Sequence, residues 1–291
     1  MIGKLHFYIK IFYLFASRRL IPVEIIEEDY NSLASTYDQY FSNFVRPHSQ
    51  ELVKRLNVNN DATVLDLACG TGTITAELGK YISPKGKIIA VDSSKEMINK
   101  AKQKIDERNV EFICGDILEM LGEFQESSFD YATCGWAIGY VSPLKLLKRT
   151  KRVLKHCGKI GIIENRNDTL SPLRETGIKV MQRYPQYIRY VMDLPFRLPR
   201  NEGHLERLYE KAGLRPHEVW EGEVKFNFKN GPEALNWAFH TGASAGFDRI
   251  MDPEVKDKCD TAFIEILERD YKTKEGINIS HKYVAGIAER I

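Results

Sequence analysis

Four carboxylates stand where a chain could turn them on a ligand. Asp66 sits in the apolar run Val64-Leu65-Asp66-Leu67, and Gly70 and Gly72 follow in the pattern Asp-x-x-x-Gly-x-Gly. Asp92 closes a second apolar run, Ile88-Ile89-Ala90-Val91. Asp116 follows Gly115 after a third, Val110 to Cys114, and Glu164 ends a later one, Ile160 to Ile163. Glycines between a strand and a helix let a ligand reach the backbone with no Cβ in the way. A carboxylate about 20 positions on can accept hydrogen bonds from both ribose hydroxyls. A dinucleotide fingerprint would need a third glycine here, and the position holds none. A carboxylate beside the turn repels a pyrophosphate and tolerates a cationic ligand.

The elements that must position these groups alternate between strand and helix. Ile74 to Leu78 opens a helical pattern after the glycines. Ser93-Ser94 caps the next helix, Glu96 to Ala101. Continuous apolar strands of this kind are covered on both faces, which predicts a parallel sheet between helical layers. Pro47 is expected to start a helix ending at Leu56. The fourth strand is Phe129 to Cys134, and the apolar, aromatic stretch Trp136 to Val141 follows it. Pro143 to Lys155 reads as an amphipathic helix with a solvated basic face, capped by His156, and Lys159 to Glu164 as the fifth strand. The rhythm then stops between Asn165 and Asn201, where Tyr184, Tyr187 and Tyr190 lie among prolines. Helix Glu202 to Ala212 stops at Gly213. Strands Val219–Glu221 and Val224–Phe228, a helix from Gly231, a covering helix over Asp252 to Tyr271 and a last strand Ser280 to Ala288 complete the pattern.

These motifs are read together. The glycine turn, the run Asp92-Ser93-Ser94-x-x-Met97, the pair Gly115-Asp116 and the ending His281-Lys282-Tyr283-Val284-x-Gly286 resemble class I S-adenosylmethionine-dependent methyltransferases. The likeness is to the small-molecule group that includes the C-methyltransferases of ubiquinone and menaquinone biosynthesis. It implies an α/β, Rossmann-like seven-stranded sheet, mostly parallel with an antiparallel last strand, helices on both faces and lid insertions. It implies S-adenosylmethionine as cofactor, held by Asp66, Ala68, Gly70, Gly72, Asp92, Ser93, Met97, Asp116, Ile117 and Cys134. The family usually has another glycine at Ala68. Met97 would lie against the adenine, with Asp116 and the Ile117 amide meeting its edge. Tyr37, in the segment Ala34-Ser35-Thr36-Tyr37-Asp38, would close over the cofactor; spacing alone equally makes Tyr30, Tyr37 and Phe41 a core stripe. The acceptor would meet Trp136, Tyr140, Tyr184, Tyr187, Trp237 and His240, and the candidates for a base are Glu164 and His240. The tyrosine spacing fits plain core packing as well. The methyltransferase domain would span 28–291, with acceptor-lid insertions at about 166–200 and 231–275.

Composition narrows the partners. A net charge of +2 gives no general pull toward nucleic acid, and five scattered cysteines without a Cys-x-x-Cys pair point to no metal site and a reducing cytoplasm. The expected partner is a small, apolar or aromatic acceptor of quinol, phenol or natural-product type. The other readings are an RNA or protein methyltransferase and a non-catalytic S-adenosylmethionine-binding module. The arm, residues 1–27, is dense in aromatics around Lys4, Lys10, Arg18 and Arg19. It is too short and charged to span a bilayer. Its readings are a helix packed on the domain or across a homodimer interface, and a segment that lies on a membrane or lines the entry of a lipophilic substrate.

Overall fold

The computed structural model describes residues 2–21, 43–105, 108–192, 197–240 and 249–291. The chain forms two compact units. The larger takes Ser42–Thr169, Pro195–Glu223 and Lys282–Ile291; the second takes Met1–Phe41, Leu170–Leu194 and Val224–His281.

In chain order the elements are α1 (Ile2–Ala16), β1 (Leu20–Ile21), α2 (Asn43–Leu56), β2 (Thr63–Leu67), α3 (Thr73–Gly79), β3 (Lys87–Asp92), α4 (Lys95–Lys104) and β4 (Val110–Cys114). Then come α5 (Ile117–Glu123), β5 (Phe129–Gly135), α6 (Pro143–Val153), β6 (Leu154–Asn165), α7 (Ser171–Arg183), β7 (Val191–Met192), α8 (Glu202–Ala212) and β8 (Leu214–Phe228). The chain closes with α9 (Gly231–His240), α10 (Lys256–Tyr271), β9 (Lys272–Thr273) and β10 (Gly276–Arg290).

The main sheet runs β4-β3-β2-β5-β6-β10-β8, with short β9 paired to β10. Strands β4 to β6 on this path are parallel, and β10 lies antiparallel to β6, Val284 opposite Glu164. The expected seven strands are present, and β9 is an eighth. Strand order reverses between β2 and β5. Side-chain alternation sorts the core into two layers. Leu65, Leu67, Ala132, Cys134, Ile160 and Ile162 face α5, α6 and α8, whose Leu121, Leu147 and Tyr209 are buried with them. Val64, Ile88, Tyr131 and Ile163 pack with Leu52 and Leu56 of α2 and Ile74 and Leu78 of α3. Burying one such Leu or Ile contributes about 1.5–3 kcal/mol.

Local signals hold at α8, where the Asn201 side chain accepts from the His204 amide at 2.9 Å and Gly213 ends the helix at φ 77°. Elsewhere packing redraws the boundaries. Helix α2 covers Asn43–Leu56 with Pro47 inside it, so the proline gives up its own i→i−4 bond within the helix instead of starting it. Strand β6 begins at Leu154, and His156 and Cys157, expected in a turn, lie where its register against β5 jumps from Leu154 to Lys159 and Cys157 takes φ 61°. β8 is one strand where two were expected, because Gly222 leaves room for the Tyr283 ring instead of breaking the ladder.

In the second unit α7 lies between α1 and α10. Leu173, Phe228, Trp237, Leu267 and Ile279 form one apolar cluster, and Phe7 and Leu14 of α1 form another with Ile21, Ile188 and Ile250.

Candidate functional site

Parallel strands gather their following loops at one edge, and the crevice opens where strand order reverses. Here that is between the C-terminal ends of β2 and β5. At β2 the backbone turns left-handed three times, at Ala68 (φ 55°), Gly70 (φ 55°) and Gly72 (φ 86°). The two glycines serve different needs. Among the described residues a Cβ on Gly70 would meet nothing within 4 Å, so this residue borders open space there. A Cβ on Gly72 would come within 2.6 Å of Ile105 Cδ1 and 3.2 Å of Ala101 Cβ, so this one lets α4 approach the turn.

Asp92, at the end of β3, ties the neighbouring loops together. Its Oδ2 accepts from the Gly70 amide at 2.8 Å, and its Oδ1 from the Ser94 amide at 2.9 Å. Its backbone carbonyl accepts from Gly115 at 2.9 Å. Ser94 caps α4 by accepting from the Met97 amide, and Met97 is buried. Ser93 is exposed, and its carbonyl accepts from the Cys114 thiol. Asp116 caps α5 by accepting from the Glu119 amide at 2.8 Å, stays exposed, and is followed by buried Ile117.

Asp66 sits deeper than a ligand contact. It is 1% exposed, and its oxygens accept from the Thr75 hydroxyl at 2.6 Å and the Thr133 hydroxyl at 2.8 Å. Burial raises its pKa to about 6 against the pull of those two hydrogen bonds. It props the glycine turn by joining β2, α3 and β5.

At β5 the crevice wall begins with buried Cys134, whose thiol is pushed well up by burial and then by the carboxylates of Glu164, Asp66 and Asp92. Burial, and after it Asp92 and Asp66, does the same to Cys69. Trp136 follows at φ 60°, an unusual conformation for a bulky residue. It is held there by its amide donating to the Ile163 carbonyl at 2.7 Å and its indole donating to Ser49 at 3.0 Å. Tyr283 packs edge-on against it and lies 2.7 Å, oxygen to Nδ1, from His48. A 3-10 turn, Ile138–Tyr140, comes next. Glu164 supports it from below, 1% exposed, with Oε2 accepting from Gly139 at 3.0 Å and Oε1 from Asn165 at 2.6 Å. Burial pushes Glu164 up to about 7.

The larger unit thus brings Asp66, Ala68, Gly70, Gly72, Asp92, Ser93, Met97, Asp116, Ile117, Cys134, Trp136, Tyr140 and Glu164 to one edge of the sheet. Tyr37 lies outside the described residues. Tyr184, Tyr187, Trp237 and His240 belong to the second unit. There Lys258 lies over the rings of Tyr184 and Tyr187, Trp237 is buried against Phe226 and Phe228, and His240 Nδ1 is 2.7 Å from the Asn236 carbonyl. Thr75, Thr133, Ser49 and His48 carry no motif, and their roles arise from contacts between distant positions.

A family model described as the ubiE/COQ5 methyltransferase family matches residues 20–214, which include the whole glycine turn and the β3, β4 and β5 loops. The chain belongs to the ubiE/COQ5 methyltransferase family. It is 34% identical over 157 residues to a demethylmenaquinone methyltransferase of Lactococcus lactis, covering 50% of this chain and 61% of that one. It is 30% identical over 203 residues to a demethylmenaquinone methyltransferase of Staphylococcus aureus, covering 69% and 74%. A crystal structure of a putative methyltransferase from Bacillus halodurans shares the fold, with a TM-score of 0.56, 18% identity, and coverage of 83% and 98%.

The methyltransferase takes S-adenosylmethionine as its cofactor. The residues present fit that group. Gly70 keeps the backbone of the turn open, and the Asp92 carboxylate beside it suits a sulfonium and ammonium where a pyrophosphate would be repelled. Among the described residues no cluster of His, Cys, Asp and Glu could hold a metal ion.

Proposed function

We propose that this methyltransferase methylates a ring carbon of a small, apolar, electron-rich acceptor of the quinol type. The observation that carries the reading is the stretch after β5: half-buried Trp136, Ala137 and Val141 are apolar, and the acid beneath them is engaged by backbone amides. The names of the Lactococcus and Staphylococcus relatives favour the same acceptor class.

Bound S-adenosylmethionine supplies a methyl group already activated on a sulfonium. The chain then has to align and keep water out, which accounts for most of what such a displacement needs. In this reading Asp92 engages the ribose, Asp116 and the Ile117 amide meet the adenine edge, and Gly70 lets the amino-acid end lie close to the backbone. Trp136 and Tyr140 flank the acceptor ring. Glu164 is a positioning residue that holds the 138–140 turn. An electron-rich ring carbon asks little of a base, whereas a simple hydroxyl would need one.

The test is transfer of isotopically labelled methyl to a demethylated menaquinol and to simple phenols, with the methylated atom located by NMR. A new C–CH3 bond on the quinol ring is expected. Methyl on oxygen, or label found only in RNA or protein, overturns the reading.

A further inference from the structure

Helix α1 has two apolar faces. Phe7 and Leu14 are buried, half-buried Ile11 packs beside them, and the β1–β7 pairing of Leu20 with Val191 fixes the chain just after the helix. At 3.6 residues per turn, Leu5, Ile9, Phe12 and Tyr13 fall on the opposite side, with Tyr8 and Phe15 along its flank. All six are more than half exposed, Phe12 at 75%. With ~200 Å² for a large apolar side chain, this face offers roughly 700 Å², above the largest patch of a typical monomer.

Charge names the occupant. Lys4 lies at one edge of the face and Lys10 at the other, and exposed Arg18 and Arg19 follow the helix. Residues 2–21 contain these four cations and no carboxylate, in a chain whose net charge is only +2. An apolar face rimmed by lysine and arginine matches a bilayer whose headgroups are anionic: the rings enter the acyl boundary and the cations stay with the phosphates. Among the described residues no helix is long and apolar enough to cross a membrane. We infer that α1 docks this protein in-plane on an anionic lipid surface through Leu5, Tyr8, Ile9, Phe12, Tyr13 and Phe15. The opposite face, packed through Phe7 and Leu14, holds the helix in the fold.

The test is co-sedimentation of the full chain with vesicles of phosphatidylcholine alone and of phosphatidylcholine with phosphatidylglycerol. Each cation near an anionic surface favours binding by about fivefold, so binding should be at least about tenfold tighter to the anionic vesicles and weaken with salt. The variant Tyr8→Ser/Phe12→Ser/Phe15→Ser should lose binding by at least about tenfold. It should keep the wild-type affinity for S-adenosylmethionine, which also checks its folding. Lys4→Gln/Lys10→Gln/Arg18→Gln/Arg19→Gln should lose only the preference for anionic vesicles, and it serves if the serine variant misfolds. Equal affinity for both vesicles, or none for either, overturns the inference. So does a wild-type dimer in sedimentation equilibrium that the serine variant dissociates without vesicle binding, since a second copy would then be the occupant.

Discussion

Replacing Glu164 with glutamine should change how stability responds to pH. In the folded chain the carboxyl is 1% exposed, accepts from the amides of Gly139 and Asn165, and is pushed from an ordinary 4.5 to about 7 by burial. A raised carboxyl pKa means the folded state holds its proton more tightly than the unfolded state. Below pH 4.5 both states are protonated and no penalty applies. Between pH 4.5 and 7 the unfolded chain releases the proton first, so stability falls as pH rises. A shift from 4.5 to about 7, at 1.36 kcal/mol per unit, removes about 3 kcal/mol by pH 8. Glutamine does not titrate, yet its amide nitrogen accepts no hydrogen bond, so one of the two backbone donors loses its partner at a cost of about 1–3 kcal/mol at every pH. The wild type should therefore be the more stable protein at pH 5, with the gap closing or reversing by pH 8. Urea unfolding of both proteins by tryptophan fluorescence across this range measures the difference, in which all other titrations cancel. A gap that stays constant, or widens with pH, would show that Glu164 does not titrate as a buried acid.

Three further outcomes follow from the glycine turn and the acid that holds it. Ala68→Gly should raise stability by up to about 1 kcal/mol in urea, because relief of a left-handed alanine, about 1–2 kcal/mol, exceeds the glycine entropy term of about 0.5–1 kcal/mol. Gly70→Ala and Asp92→Ala should each weaken S-adenosylmethionine binding in isothermal titration, the latter by about 1.5–3 kcal/mol for the lost charged hydrogen bonds. Gly72→Ala should mainly lower the melting temperature, since its Cβ would strike Ile105 and Ala101 at φ 86°.

Much of the cofactor half was legible because its signals are local. A strand needs an apolar run, a turn at positive φ favours glycine, and a cap needs an oxygen three residues before an amide. The Asp66–Gly72 turn, the Ser94 cap of α4 and the Asn201–Gly213 limits of α8 all lie within windows of that kind. Gly70 and Gly72 look alike in the sequence, however, and only the approach of α4 shows that one borders open space and the other admits Ile105.

The acceptor half was less legible for the same reason. Nothing near Asp66 announces Thr133, 67 positions away, yet that hydroxyl and Thr75 occupy the carboxylate and place it under the turn. Gly222 reads as a break and is in fact the space for a tyrosine ring from β10. Trp136 carries no mark of its left-handed backbone, which Ile163 and Ser49 impose from neighbouring elements. By itself the sequence determined the alternation of elements, the glycine turn and the carboxylates at the strand ends, because each depends on neighbours within a few residues. The tertiary structure alone decided which carboxylates are buried, where the strands begin and end, and which face of α1 is left open, because burial is set by what packs across the sheet.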